Sequence, residues 1–335
     1  MPLLIGASNS KTHTRKSYEE GKMKYLKYIA KRLLLAIFVI FIIATFTFWL
    51  SRAIPGGPFD LGDKPLPATV IANLEHKYGL DKPVFQQYLI YMENLIHLDF
   101  GVSMHDSAYT VNDYIRMKLP ASATLGFFAL ALAVLLGIPM GILSASRQNG
   151  WADNTIKVLT TLFISLPSFV IAMALMYFLG YKWGLLPIAR WGTVKQAIMP
   201  VITLSLGPMA TITKYMKSSM LEVLNADYIR TARAKGAGRF RVTFIHTLRN
   251  ALLPILTIIG PMFAGIICGS FVVENIFAIP GLGQAFTNSI FNRDYTMIMG
   301  LTVFWSALLI VVVLAIDIIY TFVDPRISLA GAKEK

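Results

Sequence analysis

Between two long apolar segments lies a hydrophilic run, Lys214 to Asn250, whose residue types suit docking rather than bond-making. It reads KYMKSSMLEVLNADYIRTARAKGAGRFRVTFIHTLRN and carries eight Lys/Arg against only Glu222 and Asp227. Within it Asp227 is a candidate N-cap, Tyr228 to Lys235 suit about two helical turns, and Gly236 supplies a stop. Helical spacing sets Tyr228, Ile229 and Ala232 on one side and Arg230 and Arg233 further round, with Thr231 and Ala234 between them. Two isolated turns are marginal in water, because nucleation costs more than so short a run returns. Such a helix needs a partner surface. A basic loop that merely obeys the positive-inside rule fits the composition equally well.

Bond-making motifs are absent. No GxxxxGK[ST] phosphate loop occurs, so the chain cannot hydrolyse ATP by the Walker mechanism unaided. HExxH, GxSxG and CxxC are also missing, and the chain reads as a non-enzyme with no metal or cofactor of its own. The one cysteine, Cys268, lies in an apolar run and suits packing. His76, His97 and His105 lack compact ligand spacing and read as solvated surface residues. Two carboxylates border or enter apolar segments. Glu274, at an outer helix end, could line a path or gate, or snorkel to the interface. Asp317, inside the last apolar segment, must face protein or water: a structural pair or helix-end contact fits it better than a pathway contact.

The elements that position these residues are membrane helices. The 335 residues are 55% hydrophobic and only 15% charged, too apolar for a soluble domain. Net charge is +13, yet the bases sit in particular loops, so the excess reports topology rather than nucleic-acid binding. Residues 1–22 are polar and expected to be disordered. A first membrane helix is expected within 23–53; its apolar core, Leu33 to Leu50, is long for a signal peptide and ends without a small-residue cleavage site. Residues 54–118 form the longest polar interval, with helices expected near Ala68–Tyr78 and over Lys82 to Leu98. Apolar segments follow at about 121–145, 155–180, 196–213, 251–273 and 298–323, each near the roughly 20 residues that span a bilayer. A five-helix core is therefore expected over 119–323, with a tail at 324–335. With both termini inside, 21 bases face inward and ten outward. Pro139, Pro167, Pro200, Pro208, Pro254 and Pro261 should kink these helices or end them.

Several stretches carry a family resemblance. DYIRTARAKGAG, followed by LRNALLP, resembles the EAA loop of binding-protein-dependent ABC importer permeases. YGLDKPVFQQYLIYMENLIHLDFGVS, VVENIFAIPGLGQAF and the terminal VDPRIS resemble the peptide/opine/nickel branch, most closely its B-type oligopeptide permease subunits. Gly236 falls on the motif's glycine and Ala232 on its second alanine, whereas Arg230 and Thr231 replace the glutamate and first alanine.

The resemblance implies an all-α type I ABC importer permease fold with six transmembrane helices and cytoplasmic termini. It implies that Asp227–Gly236 is the coupling helix that docks into an ATPase groove. It also implies a second homologous permease, two ATPase subunits that hold ATP and Mg, and an extracytoplasmic peptide-binding protein, all at a bacterial inner or plasma membrane. Nickel or another small solute remains open as cargo, and so does an ion-coupled secondary transporter using Asp317 and Glu274. The topology is directly testable. A cytoplasm-dependent reporter should be active when fused at Lys335 and silent when inserted near Asp106; the reverse at either site overturns the six-span arrangement.

Overall fold

The computed structural model describes residues 6–53, 57–59, 67–236, 238, 247–267 and 270–323; Cys268 and the tail 324–335 lie outside them. The described elements are helical. Helix α1 (Gly6–Ala53) extends N-terminally into the polar run expected to be disordered, because propagating an existing helix costs little per residue and only Gly21 interrupts that run after Gly6. The long polar interval forms α2 (Ala68–Tyr78) and α3 (Val84–Ile96), close to the helices expected there from the sequence. Gly79 stops α2 at φ +67°, and its N–H bonds back to the His76 carbonyl.

The next helix, α4 (Val111–Ser146), starts well before the boundary expected at 118/119. The reason is local. Thr110 and Asp113 form a capping box, with Asp113 N–H donating to Thr110 Oγ1 (3.1 Å) and Thr110 N–H to Asp113 Oδ2 (3.0 Å). Helix α5 (Trp151–Ser165) and helix α6 (Ser168–Leu175), which continues as a π-helical stretch Met176–Lys182, meet at a bend of 103°. Pro167 accounts for the break: the residue before it, Leu166, is pushed to extended backbone (φ −82°, ψ 125°). Then come α7 (Val194–Leu224), opened by a second capping box from Thr193 and Gln196, and the short α8 (Asp227–Ala234). The chain ends in α9 (Leu248–Ile267), α10 (Phe271–Ile276), α11 (Leu282–Phe291) and α12 (Tyr295–Val323).

The most extensive helix pairing is α4 on α7. A Cβ on Gly137 would meet Met209 O at 2.9 Å, and one on Gly141 would meet Met216 Cβ at 2.5 Å. Thr213 Oγ1 donates across the seam to Gly137 O (3.2 Å). As residue numbers rise on α4 they rise on α7, so the two helices are parallel. Parallel neighbours require the chain between them to return to the starting side, and α5 and α6 are the helices that lie between. The bent pair is therefore one broken span rather than a re-entrant loop, and the crossings number six: α1, α4, α5–α6, α7, α9 and α12. Six crossings bring the start of α1 and the end of α12 to the same side.

The loop before α4 is pinned to the start of α12. Asp294 is buried and accepts from Ser103 Oγ (2.5 Å), His105 N–H (3.3 Å) and Met297 N–H (3.0 Å). Tyr78 OH adds a bond to Ser103 O (2.8 Å), which ties α2 to the same loop. On α3, Gln87 donates to Leu80 O and Lys82 O and accepts from Arg52 at the end of α1. Replacing Asp294 with Ala leaves these buried donors unpaired, at about 1–3 kcal/mol. Hydrogen exchange in residues 99–110 should rise in that variant while exchange in α4 and α7 stays unchanged.

Candidate functional site

The segment expected to dock, α8, is joined directly to the end of α7. Asn225 N–H donates to Glu222 O (3.2 Å) and Ala226 N–H to Val223 O (3.0 Å), so only a two-residue corner separates α7 from α8. Asp227 is not the cap expected from the sequence. The carbonyl that accepts the first helical bonds, from Ile229 and Arg230 N–H, belongs to Ala226, which places Asp227 one residue inside the helix with its side chain in solvent. A negative charge there still suits the positive end of the helix. Ile229 is fully buried and anchors α8, while Tyr228 is half-exposed and its hydroxyl accepts from Asn250 Nδ2 (2.9 Å) in the first turn of α9.

The outward face is polar. Arg230 and Asp227 approach to 3.6 Å with both side chains largely in water, an ion pair worth only ~0–1 kcal/mol. Thr231, Ala234, Lys235 and Gly236 are exposed; the side chains of Ala232 and Arg233 lie outside the described residues. Gly236 ends the segment at φ +80°, the left-handed region expected of a helix stop.

The other candidates separate from this surface. Glu274, read from the sequence as a pathway or interfacial carboxylate, is tied into the helices around it. It is fully buried on α10, where it accepts from Ser122 Oγ of α4 (2.7 Å) and Gln284 N–H of α11 (3.1 Å). Ser122 Oγ in turn accepts from Leu282 N–H (2.9 Å), and a Cβ on Gly281 would strike Glu274 Oε2 at 2.4 Å. Burial pushes the Glu274 carboxyl up, with the Ser122 and Gln284 bonds opposing it. The group is a pin between three helices. Asp317 belongs to α12, but its side chain lies outside the described residues. The three histidines stand apart: His76 Nδ1 pairs with Asp81 (2.8 Å), and His97 Nδ1 meets its own helix at Glu93 O (2.9 Å).

One group escaped the sequence reading. Asp153, in the first turn of α5, is completely buried and accepts from Ser144 Oγ (2.5 Å), Asn149 N–H (2.8 Å), Lys157 Nζ (2.9 Å) and Lys217 Nζ (2.5 Å). The spacing of Asp153 and Lys157 (i, i+4) was visible, but it resembles any exposed helical ion pair; Lys217 is 64 residues away.

The described residues thus form a bundle of six spans with a short helix, α8, attached at the end of α7. Residues 137–329 match the family model for the binding-protein-dependent transport system inner membrane component, and residues 25–125 match that of its N-terminal region. The chain belongs to this family. It is 44% identical over 304 residues to the dipeptide transport system permease protein DppB of Lactococcus lactis subsp. cremoris, covering 91% of this chain and 100% of that protein. It is 42% identical over 304 residues to the oligopeptide transport system permease protein OppB of Escherichia coli K12, covering 90% and 99%. Among solved structures, a chain of the inward-facing MetNI methionine ABC transporter shares the fold, with TM-score 0.54 and 18% identity over 63% of this chain and 96% of that one.

The geometry of α8 predicts a sharp response at its stop. Gly236→Val forces a β-branched residue to positive φ, costing on the order of 1–2 kcal/mol. Proteolytic cleavage after Lys235 should increase at least severalfold, with membrane insertion unchanged.

Proposed function

We propose that this chain is one permease subunit of an ATP-driven peptide importer, forming half of the translocation pathway. The observation that carries this reading is the similarity to dipeptide and oligopeptide permeases along nine-tenths of the chain. Those relatives also favour peptide over nickel as cargo. The remaining parts are a second, homologous permease, two cytoplasmic ATPase subunits that hold ATP and Mg, and an extracytoplasmic binding protein that delivers the peptide. The inner ends of the helices, with both termini, face the cytoplasm, and α2 and α3 face the binding protein.

In this reading Asp227 to Gly236 is the coupling helix. Ile229 secures it to the permease, leaving the exposed edge at Arg230, Thr231, Ala234 and Lys235 free to enter a groove on the ATPase. Ala232 and Arg233 complete that segment; a small residue at 232 permits close approach. Movement of the ATPases on binding ATP displaces α8, and α7 follows because the corner between them is hydrogen-bonded. The permease pair thereby exchanges inward- and outward-open arrangements, and ATP acts through its different affinity for the two.

The test is uptake of labelled peptide by proteoliposomes holding the four membrane and ATPase subunits, with binding protein added. Uptake should require ATP and survive an uncoupler. Ala232→Trp should reduce it by on the order of tenfold or more, as for other inter-site couplings, and weaken ATPase co-purification. Peptide uptake without any ATPase, dissipated by an uncoupler, would replace this reading with an ion-coupled carrier.

A further inference from the structure

The buried carboxylate of Asp153 gathers its four donors from three places: Ser144 in α4, Asn149 in the α4–α5 turn together with Lys157 in α5, and Lys217 in α7. These do different work. Lys157 sits one turn further along the same helix and is half-exposed, so it neutralises Asp153 without joining it to anything else. Ser144 and the Asn149 N–H close the corner where α4 turns into α5. Lys217, whose side chain is only 17% exposed, is the partner that crosses to α7. It lies two helical turns before the end of α7 at Leu224, and α8 begins three residues beyond.

The other ties between the inner half of α7 and its neighbours resist sliding less. The α4 seam there runs over Gly137 and Gly141, where backbone meets Met209, Ile212 and Met216; apolar contact of this kind has no preferred direction, and the Thr213 Oγ1 bond to Gly137 O (3.2 Å) is a neutral tie that a shift of one turn can exchange. Between α7 and α9, Ser219 Oγ donates to Ala251 O (3.0 Å), a neutral hydrogen bond. Small sliding of packed helices is a common form of conformational change, and the glycine seam by itself permits it. An ion pair on a fully buried carboxylate is different: separation leaves a charge without its closest partner in a site closed to water.

Resting on the assignment of α8 as the coupling helix, we propose that Asp153 is a positioning residue for energy coupling. Through Lys217 it fastens the inner end of α7 to the α4–α5 corner, so that displacement of α8 carries α4 and α5 along with α7. Without that tie α7 slides over the glycine seam, and ATPase movement is lost before it reaches the rest of the bundle.

The experiment uses the full complex with binding protein in proteoliposomes and reads peptide transported per ATP hydrolysed. Asp153→Asn and Lys217→Met should lower this ratio on the order of tenfold, with the ATPases still co-purifying at wild-type levels. Lys217→Arg, which keeps the cation, should preserve the ratio. Lys157→Met should also preserve it, because the bond to α7 survives. Should Asp153→Asn not insert, Lys217→Met decides alone, since it leaves Asp153 three partners. An unchanged ratio in Lys217→Met, even with lower thermal stability, overturns the proposal and reduces the cluster to packing. Loss of ATP-driven uptake in the wild-type complex, or a harmless Ala232→Trp, would instead refute the coupling-helix reading beneath it.

Discussion

The rest of the molecule depends on the close parallel approach of α4 and α7. Side chains are missing where the two helices touch most tightly, at Gly137 and Gly141, so the backbones come within reach of each other's side-chain roots. In lipid there is little hydrophobic gain from pairing two apolar helices, and small residues that admit close packing supply the attraction instead. Met209, Ile212, Met216 and Met220 then fill the seam from α7, and Ala251 and Ile255 of α9 close over it. Once those helices are parallel, the intervening chain must cross the membrane, and the Pro167 break has to be accommodated within that crossing.

Three buried carboxylates hold this bundle at successive levels. Asp294 fastens the outer segment to the start of α12, Glu274 joins α10 and α11 to α4, and Asp153 binds the α4–α5 corner to α7. Each is fully supplied with donors, as burial demands, since an unpaired polar group in such surroundings costs more than a hydrogen bond returns. Their partners differ in kind. Asp294 and Glu274 accept hydrogen bonds from hydroxyl and backbone N–H groups, whereas Asp153 alone among the three takes lysines as well.

The placement of α8 follows from the same economy of contacts. A helix of two turns has too little surface to fold alone, and among the described residues the buried side chain of Ile229 and the bond from Asn250 to Tyr228 retain it. Among its described side chains, Arg230, Thr231, Ala234 and Lys235 are exposed. That combination suits an element that moves as a lever on α7 and gains its full packing only from another subunit.

Much of this was legible along the chain. The apolar segments, the break at Pro167 and the positive φ of Gly236 all depend on residues within a few positions of one another, and local sterics decide them. The helix at Ala68–Tyr78 and the short helix after Leu224 were visible for the same reason. The exact cap of α8 was not, because Ala226 or Asp227 can occupy that place and the corner after α7 selects between them. Long-range partnerships were beyond local pattern. Glu274 and Ser122 are 152 residues apart, Asp153 and Lys217 are 64 apart, and nothing in either neighbourhood encodes the other. By itself the sequence determined where the helices run and which of them cross the membrane, since hydropathy and backbone sterics act locally. Only the tertiary structure decided that α4 and α7 run side by side, that Glu274 joins α10 and α11 to α4, and that Asp153 reaches α7, because each depends on which helix faces meet.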